Sequence, residues 1–272
     1  MPDKYFDVDG VATLVHHRGE TMLPGAPPLL AKGSTVLLFH DAGGNGNCFR
    51  ELMDCLESNH SPVSFDQPGH GRSGELDSLT SIEAMAVHAE NLVKNWELGD
   101  LILVGEGMGA AVAVEVANRA KVNVAGIVCV GSSGKSVDLT EEIEQLALIA
   151  AGKARRQFDS TGYSPNTDEG VFRTAFAEWV KTDPRATVGA RRAQQKWNSD
   201  ADISKVATPV LVVIGEHTEA EYRDSAQEFA DALPNGTATH LEGASRHAVI
   251  ENPTKLSVAI DEYVQGLGGR HD

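Results

Sequence analysis

One large α/β domain, built from buried strands alternating with helices, is what the 272-residue sequence predicts, and three observations predict it. The apolar run Leu101-Ile102-Leu103-Val104 turns sharply through Gly105-Glu106-Gly107-Met108-Gly109 and continues in small helix-favouring residues to Ala117. This is the pattern of a buried strand, a tight turn and a packed helix. Continuous β-branched and aliphatic runs at Thr35 to His40 and Val124 to Val130 read as further buried strands. Between them, Ile82, Met85, Ala86, Ala89, Leu92, Val93 and Trp96 keep the three-and-four spacing of an amphipathic helix over Thr80 to Trp96, which should cover one sheet face. With 41% apolar residues, the chain can build one sizeable core carrying an insertion.

Charge and composition narrow the function classes. Asp and Glu outnumber Lys and Arg by 39 to 23, and the formal charge of −16 would repel phosphate backbones and anionic membranes, which argues against nucleic acid and membrane as partners. Cys48, Cys55 and Cys129 have no metal-type spacing and read as small packing residues, so no metal and no cofactor is expected. An odd cysteine count fits a reducing compartment. The start, Met-Pro-Asp-Lys-Tyr-Phe-Asp-Val-Asp-Gly, lacks a signal peptide's basic opening and apolar centre, and no run approaches the ~18 apolar residues of a membrane span. A cytoplasmic protein with a small-molecule substrate or ligand is expected; the sequence assigns no oligomeric state.

The turn Gly105-Glu106-Gly107-Met108-Gly109 resembles the G-x-S-x-G nucleophile elbow of the α/β-hydrolases, with Gly107 where that family carries its serine. The resemblance extends along the chain. Lys4 to Val8 and Val11 to His16 form an edge hairpin around Asp9-Gly10, and a Pro- and Gly-rich loop, Pro24 to Pro28, leads to Thr35. After that strand, His40-Asp41-Ala42-Gly43-Gly44 is similar to the family's His-Gly oxyanion loop. Pro62 to Phe65 is the next strand. The loop Asp66-Gln67-Pro68-Gly69-His70-Gly71-Arg72-Ser73 resembles the family's D-x-P-G-x-G-x-S turn, which gives His70 and Ser73 structural roles.

From Lys135 to Ala207 the chain reads as helices at Leu139 to Phe158, Asp168 to Lys181 and Pro184 to Asn198, broken around Thr161 to Asn166. This matches the cap of the superfamily, so residues 1–134 and 208–272 are expected to form the core and 135–207 a helical cap. The Arg155-Arg156 and Arg191-Arg192 pairs read mainly as solvated helix faces, with attraction of an acidic substrate as the alternative. Thr208 to Ile214 resembles the seventh strand, Ala220 to Leu233 a helix, Thr237 to Leu241 the last strand, and Pro253 to Gly266 the final helix. The resemblance implies a mostly parallel, eight-stranded α/β-hydrolase fold with helices on both faces.

It also implies a site. The oxyanion donors would be the backbone N–H groups of Ala42 and Met108, with His40 and Asp41 beside them. Asp41 stands where glycine is usual, so it serves either its own backbone conformation or places a carboxylate near a developing anion. His247, in Glu242-Gly243-Ala244-Ser245-Arg246-His247 and followed by Glu251-Asn252-Pro253, matches the catalytic histidine. The acid position falls on Thr218, with Glu216, Glu219 or Asp138 as substitutes. His247 is expected to face Gly107 across a pocket, with Thr218 on its far ring nitrogen.

Of the serine, histidine and acid of a hydrolase triad, only the histidine remains. A lone Gly107 would suit an engineered nucleophile deletion, whereas Thr218 at the acid position as well favours natural divergence. The implied activity is a non-covalent one on an ester, lactone or dicarbonyl, using His247 as general base and the space that Gly107 leaves open. The alternative is a pseudo-hydrolase that binds a small molecule without turnover. On this reading Gly107→Ser should fit the fold and need Thr218→Asp to become an esterase.

Overall fold

The computed structural model describes residues 3–20, 23, 26–132 and 138–268, without the side chains of Ser199 and Asp200. The chain starts with the hairpin β1 (Lys4–Val8) and β2 (Val11–His17). Its turn places Asp9 at φ 53° and Gly10 at φ 87°, the two successive left-handed residues whose twist matches flanking strands. There follow β3 (Thr35–Phe39), α1 (Arg50–Leu56), β4 (Ser61–Phe65), α2 (Ile82–Val93), β5 (Leu101–Glu106), α3 (Met108–Arg119) and β6 (Val124–Val130). Three helices come next: α4 (Thr140–Ala150), α5 (Glu169–Trp179) and α6 (Pro184–Asp200). The chain closes with β7 (Val210–Gly215), α7 (Ala220–Ala232), β8 (Gly236–Leu241), α8 (Ala248–Glu251) and α9 (Pro253–Gly268).

The strands make one eight-stranded sheet in the order β1-β2-β4-β3-β5-β6-β7-β8. The β1–β2 and β2–β4 pairs are antiparallel and all other neighbours are parallel. Side chains alternate between two apolar layers, as a strand's two-residue period requires. Leu37, Phe39, Leu103, Ile127 and Val212 pack with α2, α3 and α7 on one face. Val36, Leu38, Val104, Val128 and Val213 pack with α1 and α9 on the other. This is the mostly parallel, doubly covered sheet that the sequence predicts.

Two helices depart from the sequence reading. The first inserted helix ends at Ala150 and not at Phe158. Gly152 takes φ 70°, its N–H donates to Ile149 O, and Lys153 N–H donates to Leu148 O, a Schellman stop that only a residue tolerant of positive φ allows cheaply. Helix α1 was not anticipated at all. The start of the inserted segment, 133–137, and part of the loop from Pro24 to Pro28 lie outside the described residues. Among the described residues no helix is long and apolar enough to cross a membrane.

His70 and His88 are buried structural groups. Burial, with the His40 ring adding to it, pushes His70 down to about 3, and burial pushes His88 down to about 4. Both are neutral in the native protein, while an unfolded histidine titrates near 6.5. Their contribution is therefore complete above that value and lost as the pH falls from 6.5 towards 3. Stability should drop with a slope of up to about 1.4 kcal/mol per pH unit for each group in that window. Urea midpoints from pH 7 to 4 should fall less steeply in His88→Gln than in the wild type; parallel curves would contradict this.

Candidate active site

The loops leaving β3, β5 and β8 meet at the carboxyl edge of the parallel strands. There β4-β3 lies to one side and β5-β6 to the other, the switch point where open α/β sheets leave a crevice. Gly107 sits between β5 and α3 at φ 54° and ψ −114°, and its N–H donates to Val130 O at 3.0 Å. Gly109, two residues on, lets α3 approach β3, because a Cβ there would collide with the Phe39 carbonyl.

The space above Gly107, expected to be open, is filled. A Cβ on Gly107 would overlap the Asp41 carboxylate, which reaches over from the loop after β3. Asp41 Oδ1 accepts the Met108 N–H at 2.7 Å and Arg191 Nη1 at 2.8 Å, and Oδ2 accepts Arg191 Nη2 at 2.8 Å. The Ala42 N–H, next in the chain, helps to hold the carboxyl's pKa down. The Met108 amide assigned to the oxyanion site therefore holds a carboxylate of the chain itself, clamped from α6 by a two-pronged guanidinium. Burial by itself would raise the Asp41 carboxyl, but the Arg191 charge and these hydrogen bonds overcome it and hold the group below its ordinary value. Asp41 is not among the described residues with positive φ, so its role lies in the side chain and not in backbone conformation.

His40, expected beside a substrate, is fully buried and belongs to the scaffold. Its Nδ1 bonds Asp41 O at 2.8 Å, and its Nε2 accepts the Gln67 N–H at 3.0 Å, tying the two loops together. The Asp66 to Ser73 turn has the structural part expected of it. Asp66 accepts the N–H groups of Gly46 and Arg72 at 2.8 and 2.7 Å, and Ser73 Oγ donates to Asp66 O at 2.6 Å.

His247 lines the same cavity as Gly107. Its Nδ1 lies 3.5 Å from Glu106 Oε1, and its ring stacks on Tyr163 with centroids 4.3 Å apart. Glu106, the residue just before Gly107, is buried. Burial raises its carboxyl above the ordinary value, while its hydrogen bond and attraction to His247 work in the opposite direction. The sequence reading assigned the acid position to Thr218. Instead, Thr218 is buried with its N–H on Gly215 O and lies outside the cavity lining, and no described hydrogen bond joins it to His247. Among the proposed substitutes, Glu216 accepts the Gly243 N–H, Glu219 pairs with Arg246, and Asp138 bonds Thr140 and Gln195. Glu106 is the carboxylate that meets the histidine. Its signal was present in the sequence, because a charge at the end of an apolar strand needs a partner.

A model of the alpha/beta hydrolase family matches residues 36–259. The chain belongs to the alpha/beta hydrolase family. It is 23% identical over 244 residues to the 2-hydroxy-6-oxo-6-(2'-aminophenyl)hexa-2,4-dienoic acid hydrolase of Metapseudomonas resinovorans, covering 84% of this chain and 83% of that protein. It is also 23% identical over 257 residues to the magnesium-chelatase 30 kDa subunit of Rhodobacter capsulatus, covering 87% and 88%. The enol-lactonase of Burkholderia xenovorans LB400 shares the fold, with a TM-score of 0.74, 16% identity and coverage of 96% and 99%.

In this alpha/beta hydrolase the inserted helices roof a cavity of 760 Å³ whose wall includes Asp41, Glu106, Gly107, Tyr163, Arg191 and His247. The arginine pairs do not simply coat helix faces. Arg191 is half-buried between Asp41 and Glu142, and Arg156 stacks 3.9 Å over the Trp179 ring while donating to Trp179 O and Thr182 O. Glu251 joins the roof to the histidine loop, accepting from Ser164 N–H and Thr167 Oγ1 with one oxygen and from Ser245 N–H with the other. Cys48 also faces the cavity; burial pushes its thiol up, with the Glu106 charge adding to it, so it stays protonated. Among the described residues no three His, Cys, Asp or Glu side chains group as metal ligands.

Proposed function

We propose that this alpha/beta hydrolase acts on a small carbonyl compound of the ester, lactone or dicarbonyl type by proton transfer through His247, with no covalent serine intermediate. The observation that carries this reading is the His247 and Glu106 pair at the wall of a roofed 760 Å³ cavity. On this reading the β5–α3 turn is a nucleophile elbow without its nucleophile, and residues 135–207 form a cap over the site. Glu106 fixes the ring's tautomer and stabilises the imidazolium that forms when His247 removes a proton from water or from an acidic C–H. A threonine hydroxyl at position 218 would supply only the first of these. The Ala42 and Met108 amides become available to a substrate oxygen once Asp41 moves aside.

Turnover of a panel of esters, lactones and β-dicarbonyls tests this proposal. His247→Ala should lower kcat by about 10²- to 10⁴-fold, the usual worth of a general base. Glu106→Gln should lower it less, and the wild type should not be labelled by a fluorophosphonate. Labelling at another serine, or full activity in His247→Ala, would overturn the assignment. The position of Asp41 favours one second reading: a protein that binds a small molecule in the same cavity without turning it over. Tight binding with no turnover of the panel would put that reading first.

A further inference from the structure

We propose that Arg191 and the Met108 N–H form an exchangeable carboxylate cradle, in which Asp41 is a resident stand-in displaced by the carboxylate of a small organic acid. The proposal names the ligand class of the site read above and rests on that site being the one used, though not on turnover. Its first support is the shape of the donor set. Two parallel guanidinium N–H groups and the Met108 N–H converge on one carboxylate, all three contacts at 2.7 to 2.8 Å. That arrangement recognises a planar two-oxygen anion and nothing smaller in charge.

The second support is access. The Asp41 side chain comes from a loop, is 17% exposed and lines the 760 Å³ cavity, so a ligand entering the cavity meets it directly. The third is charge balance. Glu142 already pairs with Arg191 Nε at 2.8 Å from the other side and Asp41 holds both Nη groups, so a new anion can reach this guanidinium only by exchange. A neutral carbonyl that pushed Asp41 aside would leave the Arg191 charge without its main partner. An incoming carboxylate replaces like with like: it restores both guanidinium bonds and the Met108 bond that Asp41 gives up. The tail of such an acid would then lie along Tyr163 and Trp179, near His247.

Asp41→Gly removes the resident group and leaves every donor in place. Formate and acetate are the probes, read by carbon-13 NMR titration and by thermal melting against equal chloride. Acetate should bind Asp41→Gly at least tenfold more tightly than the wild type and raise its melting temperature, with chloride doing neither. Adding Arg191→Met should abolish both effects. Equal acetate affinity in wild type and Asp41→Gly, or acetate binding that survives Arg191→Met, would overturn the proposal. If Asp41→Gly folds only in acetate and not in chloride, that result supports it; failure in both shifts the decision to Asp41→Asn. This variant keeps the Met108 bond but loses the negative charge opposite Arg191, and acetate must bind it more tightly than the wild type or the cradle is refuted. Wild-type turnover is a separate readout: absent turnover with acetate binding as expected sinks the catalytic proposal and leaves the cradle standing.

Discussion

Gly107→Ser combined with Asp41→Gly is expected to hydrolyse activated esters about 10³-fold faster than the wild type, a small part of the roughly 10⁶-fold that losing its serine costs a serine hydrolase. The pairing follows from the collision over Gly107. Gly107→Ser alone puts a Cβ into the Asp41 carboxylate and so must eject it from Arg191, at a backbone φ of 54° that already strains an L-residue. The single change should therefore yield an unstable and nearly inactive protein, contrary to the expectation from sequence that the fold would accept it. Removing the carboxylate in the same molecule opens the room and, on the proposed reading, frees the Met108 N–H for a substrate oxygen. The new hydroxyl then lies on the cavity wall shared with His247, whose ring Glu106 supports, so Thr218→Asp is not required. Nitrophenyl acetate turnover and fluorophosphonate labelling at position 107 measure the outcome. A folded double variant that neither turns over nor labels would show that His247 is not placed to serve a nucleophile on this turn.

Arg191→Met should be the most destabilising single change in the site. It strips the counter-charge from Asp41, whose side chain is 17% exposed, and leaves a carboxylate held only by the Met108 N–H. Breaking a largely buried pair in this way costs about 3 to 5 kcal/mol, which in a chain of this size lowers the melting temperature by roughly 10 °C. Asp41→Asn in the same molecule should recover much of the loss, because a neutral amide no longer needs the guanidinium. Denaturant unfolding of both singles and the double gives the coupling directly. Additive losses would mean that the pair is incidental to stability.

The sheet was legible because its strands are continuous apolar runs between strong turn residues, and β6 matched its predicted bounds, Val124 to Val130. Helix α1 escaped because seven residues give barely two turns of periodicity. The overlong first inserted helix has a similar origin: Lys153 to Phe158 continue a helical composition, and only the left-handed Gly152 ends it. In the site, local departures from the family pattern were visible at Asp41, Gly107 and Thr218. Their meaning was not, since it depends on Arg191, which is 150 positions from Asp41. Spacing carries no information across such a distance. Nor could it show that Glu106 turns towards His247, because side-chain direction at a strand end is fixed by the loops that close over it.

The groups around the cavity are contributed at residues 41, 106 to 108, 191 and 247, so the site is assembled from four widely separated parts of the 272-residue chain. During synthesis the histidine loop is among the last segments to emerge, after the sheet strands that must hold its partners. Each pairing closes a long loop, and its entropy is recovered only when β3, β5, α6 and the segment after β8 are all docked. A nascent chain cut short before residue 247 would carry the residues of the arginine clamp and the glycine turn but not the segment that completes the cavity wall.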